Sequence, residues 1–256
     1  MKTSVNLYFD YNIPPKERIN AIKAAGFDEF HCGVHDESKD VSLVELIKYA
    51  ANLGLKCTMI HCLYDKTRLH YFWERGEQGD AVCDDYCRQI KKCCGLTNNF
   101  VIHLNGSKKE KQSKFGLLRL KKILQVCTEC DINLCVENLC LEKEIPYIFR
   151  HIKHDKLKIC FDTGHQHFLT PKLPMLTKYM KYVAALHLHD NHGSQDEHLI
   201  CGQGTIDWLK IVAGLKTLPE VVLSAEVKNH SAMPMQNFLA DTYESLVMIE
   251  KLMIKD

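Results

Sequence analysis

Six segments of this chain run through mostly apolar residues and then stop at a side chain that binds metal ions or moves protons. Thr58-Met59-Ile60 stops at His61, Phe100-Val101-Ile102 at His103, and Leu134-Cys135-Val136 at Glu137. Ile159-Cys160-Phe161 stops at Asp162, with His165 three residues on. Val183-Ala184-Ala185-Leu186 stops at His187, and the next stretch carries Asp196 and His198. Leu223-Ser224-Ala225 stops at Glu226. Imidazole nitrogen and carboxylate oxygen are the ligand types for Zn²⁺, and carboxylates suit Mn²⁺ and Mg²⁺ as well.

A carboxylate at the end of a buried strand is costly unless something compensates its charge. Several carboxylates meeting at one place would also repel each other. No comparable set of Lys or Arg stands at the same ends, so a divalent cation is the simplest compensation. Taken singly, each residue has a plainer reading. His61 or His103 reads as a hydrogen-bonded core histidine, and Asp162-Thr163-Gly164 as turn chemistry. Glu137 beside Asn138 could pair with a basic group, and Asp196 and His198 could be solvated. Recurrence at six successive segments selects the metal reading. Around His187, His189 and Asp190 are expected to orient the ligands, and His192 to face solvent.

The elements that must position these residues alternate from end to end. Strand-like segments cover 4–12, 28–35, 55–63, 99–106, 132–139, 157–168, 183–191 and 221–229. Helix-like segments come after them at 14–27, 42–54, about 80–96, 114–130, 142–153, 171–180, 205–218 and 235–253. Several strands are near-continuous apolar runs, as parallel strands buried on both faces should be. Eight such units with no phosphate-binding glycine loop after the first strand predict a (β/α)₈ barrel in one domain over 1–256, rather than an open doubly wound sheet.

The 256 residues are 46% apolar, and 33 Lys and Arg nearly balance 32 Asp and Glu. No global positive field advertises nucleic acid. The first residues have no long apolar core like that of a secretory signal, and no apolar run approaches a membrane span, so a cytoplasmic protein is expected. The thirteen cysteines, including the lone CxxC of Cys127 and Cys130, read as reduced, mostly buried thiols.

Glu137-Asn138-Leu139, Asp162-Thr163-Gly164-His165, His187-Leu188-His189-Asp190-Asn191 and Asp196-Glu197-His198 before Gly202-Gln203-Gly204 resemble the xylose isomerase-like TIM-barrel superfamily. That superfamily contains sugar-phosphate isomerases and epimerases and the endonuclease IV enzymes of AP endonuclease family 2. The resemblance spans roughly residues 4–250. Its epimerase branch implies one divalent ion (Mn²⁺, Zn²⁺ or Mg²⁺) on Glu137, Asp162, His187 and Glu226. There Glu137 and Glu226 would move a proton through a metal-stabilised enediolate, and His165 would touch a substrate hydroxyl. Its endonuclease branch implies three zinc ions on His61, His103, Glu137, Asp162, His165, His187, Asp196, His198 and Glu226, acting on abasic DNA. The expected reaction is isomerase or epimerase chemistry on a sugar or sugar phosphate, with the zinc phosphodiesterase as the alternative and a non-catalytic metal-binding barrel as a third class.

Two departures from the family bear on this. The stretch Asp190-Asn191-His192-Gly193 lacks the Arg that epimerases often carry after the seventh-strand His, and no Lys is identified near the metal for hydride transfer. The segment 64–79 offers Tyr64, Lys66, Arg68, Tyr71, Phe72, Trp73 and Arg75. It reads as a lid over a small substrate or a contact between copies of the chain, or, under the alternative, as a DNA-holding rim.

Overall fold

The computed structural model describes residues 1–37, 41–106, 111–218, 220 and 222–254. Its eight strands are β1 (Lys2–Asn6), β2 (Glu29–Gly33), β3 (Lys56–His61), β4 (Asn99–Ile102), β5 (Asn133–Glu137), β6 (Leu157–Asp162), β7 (Val183–His187) and β8 (Val222–Ala225). All pair in parallel, in chain order from β1 to β7, and β8 lies beside β1. The sheet closes just past β7, where Leu188 bridges Ala225, its N–H donates to Ser224 O at 2.8 Å, and Glu226 N–H donates to Leu188 O at 3.0 Å. The result is a (β/α)₈ barrel.

The eight helices are α1 (Pro15–Ala24), α2 (Leu43–Asn52), α3 (Glu77–Lys92), α4 (Lys114–Glu129), α5 (Glu144–His151), α6 (Thr163–Phe168), α7 (Trp208–Leu215) and α8 (Met235–Ile254). Their starts are set by local chemistry. Pro15 opens α1, where its missing N–H costs nothing. Ser42 and Glu45 form a reciprocal capping box on α2, and Ser113 and Asp207 cap α4 and α7.

Most buried apolar residues lie between strands and helices. A separate small cluster, Met59, Val101, Cys135, Cys160 and Ala185, fills the barrel interior. Each member stands two positions before a chemistry-bearing residue: His61, His103, Glu137, Asp162 and His187. Strand periodicity of two therefore sends the second set inward as well, one step nearer the C-terminal mouth. The interior plug is small, so the layer above it can be polar without a solvent channel beneath.

Several sequence expectations shift. The first strand is not 4–12 but ends at Asn6. The third helix runs over Glu77–Lys92, not 80–96. The segment 157–168 is not one strand: β6 stops at Asp162, whose carboxylate accepts from His165 N–H and caps the short α6. That cap diverts the chain from the sheet. The expected helix at 171–180 is a π turn, Met175–Tyr179, succeeded by a 3₁₀ turn, Met180–Tyr182. Pro171 and Pro174 keep the helical stretch from starting before Met175. In the expected eighth strand, Val221 lies outside the described residues.

Candidate metal centre

The two residues on either side of the β5–β6 junction are locked together by their neighbours. Asn138 amide N–H donates to Asp162 O at 2.9 Å, and its Oδ1 accepts Asp162 N–H at 2.8 Å. This clamp sets Glu137 and Asp162 at one height. Asp162 Oδ1 accepts from His165 N–H at 2.6 Å and lies 3.0 Å from His189 Nε2. Oδ2 lies among three imidazoles, 3.2 Å from His189 Nε2, 3.6 Å from His165 Nδ1 and 3.8 Å from His187 Nδ1.

His187 is the hub. Its Nδ1 lies 3.3 Å from Glu137 Oε1 and 3.4 Å from Glu226 Oε2. Glu137, Asp162, His187 and Glu226 each offer one atom, and the four atoms lie within 4.8 Å of one another. His61, His103 and Glu137 form a second such group. His61 Nδ1–H donates to Cys62 O at 2.9 Å, so Nε2 keeps its lone pair. That lone pair faces His103 Nε2 at 3.1 Å and Glu137 Oε2 at 3.3 Å, and His103 Nε2 stands 2.8 Å from the same oxygen.

The third group is His189, Asp196 and His198. His198 holds a left-handed backbone, φ 51°, rare for a residue with a Cβ. It is fixed there because its Nδ1–H donates to Glu226 O at 2.9 Å and its own carbonyl accepts Lys228 N–H at 2.9 Å. His198 Nε2 then faces Asp196 Oδ2 at 3.4 Å. His165, one of the nine ligands the three-zinc reading implies, stands between sets: Nδ1 is 3.1 Å from Glu137 Oε1 and Nε2 is 3.3 Å from Asp196 Oδ2. His189, expected only to orient its neighbours, supplies the third member and also stacks on His198 at 4.2 Å.

Asp190 does orient. Its carboxylate accepts from the N–H groups of Asn191, Gly202, Ile206 and the Trp208 indole, pinning the loop that carries Asp196 and His198. Gly204 lies so close that a Cβ would stand 2.4 Å from Asp190 Oδ1 and from Asn191 O, which is why that turn needs glycine. His192 is exposed and pairs with Glu197 at 3.1 Å.

The electrostatics come from crowding. Burial alone would raise the Glu137 carboxyl, but the His103 and His187 rings hold it well below the usual carboxylate range. Burial also opposes ionisation of Glu226, yet His187 and His198 bring it to about 2. Burial lowers His187, and Glu226 and Glu137 outweigh that and push it up to about 10. Without a cation, protons on imidazoles are what keep these carboxylates company. His187 Nε2 is buried with no hydrogen-bond partner. Converging lone pairs and carboxylates that trap protons are the signature of a ligand set for divalent ions, and binding would expel those protons. The residues present therefore fit a divalent metal.

Above the ligands lies a cavity of about 660 Å³, within the range of small-molecule sites. Its walls include Tyr8, Tyr64, Lys66, Asn105, Phe168 and Lys228. Tyr64 lays its ring 4.2 Å from that of His103. Of the seven residues singled out in segment 64–79, only Tyr64 and Lys66 reach this cavity. Phe72 and Trp73 are buried, with the Trp73 indole N–H donating to Leu104 O at 2.8 Å. Tyr71 and Arg75 line a separate shallow depression. A lid or rim built from all seven is corrected accordingly: Phe72 and Trp73 are core, and Tyr64 and Lys66 alone of the seven face the cavity.

Two site residues escaped the sequence reading. Lys228 lines the cavity, although no basic residue was expected at a strand end. The signal was there: Lys228 comes two residues after Glu226 in an extended segment, which puts both on one face. His31, in β2, also lines the cavity and stacks on His187 at 5.5 Å. It precedes Cys32 and Gly33 inside its strand rather than ending it, so the strand-end criterion passed over it. The cysteines behave as expected: all thirteen are free, ten of them buried, and none belongs to a candidate ligand group among the described residues. Also among the described residues, no helix is long and apolar enough to cross a membrane.

The family described as xylose isomerase-like TIM barrel matches residues 19–251. The uncharacterized protein MJ1614 of Methanocaldococcus jannaschii is 36% identical over 197 residues, 72% of this chain and 75% of that protein. The uncharacterized protein y4fM of Sinorhizobium fredii is 32% identical over 89 residues, 32% of this chain and 29% of that protein's length. Among solved structures, an IolI protein with a zinc atom aligns over all of both chains with TM-score 0.82 and 16% identity. A D-tagatose 3-epimerase-like protein covers 98% of this chain and 97% of its own with TM-score 0.77 and 18% identity. The D-psicose 3-epimerase of Clostridium cellulolyticum H10, solved with D-tagatose, covers 99% of each with TM-score 0.75 and 14% identity. At such identities the likeness is one of fold.

Proposed function

The chain belongs to the xylose isomerase-like TIM barrel family, and from that premise we propose that it is a divalent-metal-dependent isomerase or epimerase of a sugar or sugar phosphate. One observation carries the reading. Two carboxylates, Glu137 and Glu226, flank His187 Nδ1 at 3.3 and 3.4 Å on the floor of a cavity of monosaccharide size. Glu137, Asp162, His187 and Glu226 would hold the ion. The chemistry such an ion would supply there is polarisation of a carbonyl and its neighbouring hydroxyl, and stabilisation of the negative charge that would develop as a proton leaves.

The rest falls to the chain's own groups. Glu226 is the more accessible carboxylate, with 23% of its side chain exposed against 2% for Glu137. It is placed to take the proton from a carbon in the cavity, with Glu137 returning one on the other face. His165 Nε2 is placed to hold a substrate hydroxyl. Tyr64 lines the cavity, and Lys66 and Lys228 bring positive charge to walls otherwise rich in carboxylates. The shared fold of an epimerase solved with D-tagatose supports the substrate class.

A second reading has its own support. The groups His61–His103–Glu137 and His189–Asp196–His198 provide ligand sets that proton transfer at one ion does not use. A zinc phosphodiesterase uses several ions. The test is direct. Metal-loaded protein is incubated in D₂O with a panel of ketoses and their phosphates, and deuterium uptake is read by mass spectrometry. Uptake that disappears in a folded Glu226→Gln variant supports the isomerase. No uptake from any sugar, together with three bound zinc ions and cleavage of abasic DNA, would replace it with the hydrolase.

A further inference from the structure

His31 is a buried imidazole with unfinished business. Only 3% of the residue is exposed. Its Nδ1 lies 3.2 Å from the buried Ser4 hydroxyl, while its Nε2 has no hydrogen-bond partner. A ring nitrogen left bare inside a barrel needs a reason, because an unsatisfied buried polar atom destabilises the fold. His31, His187 and Glu226 each offer a ligand atom, and those three atoms also lie within 4.8 Å of one another. This group overlaps the carboxylate-rich one, sharing His187 and Glu226, yet it leans toward β2 and away from Glu137 and Asp162.

We propose that His31 gives the His187–Glu226 pair a second cation seat, and that the two overlapping seats sort metals. The proposal rests on the metal-centre reading above. The seat with Glu137 and Asp162 has three carboxylates and one imidazole, a set rich in hard oxygen that suits Mn²⁺ and Mg²⁺. The seat with His31 has two imidazoles and one carboxylate, with a fourth position open to the cavity. Two His and one Glu with an open position is a tetrahedral zinc set. A neutral His187 has one lone pair, so a single ion takes one seat or the other. Ser4 completes the arrangement. When its hydroxyl accepts the Nδ1 proton, the His31 Nε2 lone pair is the one that faces the barrel interior.

The experiment measures two metals on the same variants. Zn²⁺ affinity is read by competition with a chromogenic chelator, and Mn²⁺ affinity by titration monitored with electron paramagnetic resonance. His31→Gln is expected to weaken one class of Zn²⁺ sites at least about 100-fold, the upper end of what even an orienting partner costs. Mn²⁺ affinity should stay within about threefold. Ser4→Ala, which keeps the ligand but removes its orienting partner, should weaken the same Zn²⁺ class about 10-fold and leave Mn²⁺ unchanged. A uniform loss of both metals, or no loss of either, overturns the two-seat proposal. Wild-type protein that binds neither ion would instead sink the metal-centre reading on which it stands.

Discussion

Replacing Arg119 should loosen segment 64–79 without touching a single candidate ligand. Arg119 lies in α4, and only 6% of its side chain is exposed. Its guanidinium gathers the chain between β3 and α3. Nη1 donates to Tyr71 O at 3.3 Å, Phe72 O at 2.7 Å and Glu74 O at 2.5 Å. Nη2 donates to Gly76 O at 2.9 Å, and Nε to Asp80 at 2.9 Å. The fit is close enough that a Cβ on Gly79 would stand 2.4 Å from Arg119 Cζ. Asp80 is 64% exposed, so that ion pair contributes little. The carbonyls of Glu74 and Gly76 belong to exposed residues and can be taken up by water. The bonds to Tyr71 and Phe72 are deeper, and hydrogen bonds from a charged group are worth about 1.5–3 kcal/mol each. Arg119→Ala is therefore expected to cost roughly 3–6 kcal/mol. For a chain of this size that lowers the melting temperature by roughly 6–24 °C. Arg119→Lys keeps the charge but not the planar fork and should recover less than half. Calorimetry measures the loss, and trypsin nicking at Lys66, Arg68 or Arg75 reports whether that segment is what opened. An Arg119→Ala protein that melts within about 2 °C of wild type and resists trypsin equally would refute the reasoning.

The remaining predictions concern the ligands themselves. Gly164→Ala places a Cβ 1.9 Å from the buried His189 ring; it should displace that ring from Asp162, lower stability by about 1–3 kcal/mol and weaken metal binding, as calorimetry and metal analysis would record. His61→Ala should reduce bound zinc while leaving Mn²⁺-supported deuterium exchange near wild type if the reaction uses the central ion alone; loss of that exchange would make the His61–His103 group part of the chemistry. Removing metal with a chelator should lower thermal stability, by about 4 kcal/mol when the ion had been present at 1,000 times its Kd; an unchanged melting curve would mean the ligand groups hold no ion in the native protein.

The architecture was legible because each unit repeats a simple physical pattern. An apolar strand followed by a helical segment recurs eight times, and hydrophobic periodicity reports that locally. The ligand residues were legible for a related reason. A strand has a period of two, so a polar residue two beyond Met59, Val101, Cys135, Cys160 or Ala185 must share their inward face. Obscure in the sequence was whatever depends on contact between distant segments. Whether Phe72 and Trp73 are rim or core is decided by Arg119, more than forty residues away. The grouping of His189 with Asp196 and His198 is decided by the cap at Asp162 and by the loop that Asp190 pins. His31 sits mid-strand, where sequence offers no sign that its ring will meet His187 across the barrel. Residue types and their inward phase were set by the order of amino acids, through rules that act over a few residues. Which lone pairs face one another was decided only when the cylinder closed, because distances of 3 to 4 Å between ligand atoms are a property of strand register and of the buried hydrogen bonds that hold each ring.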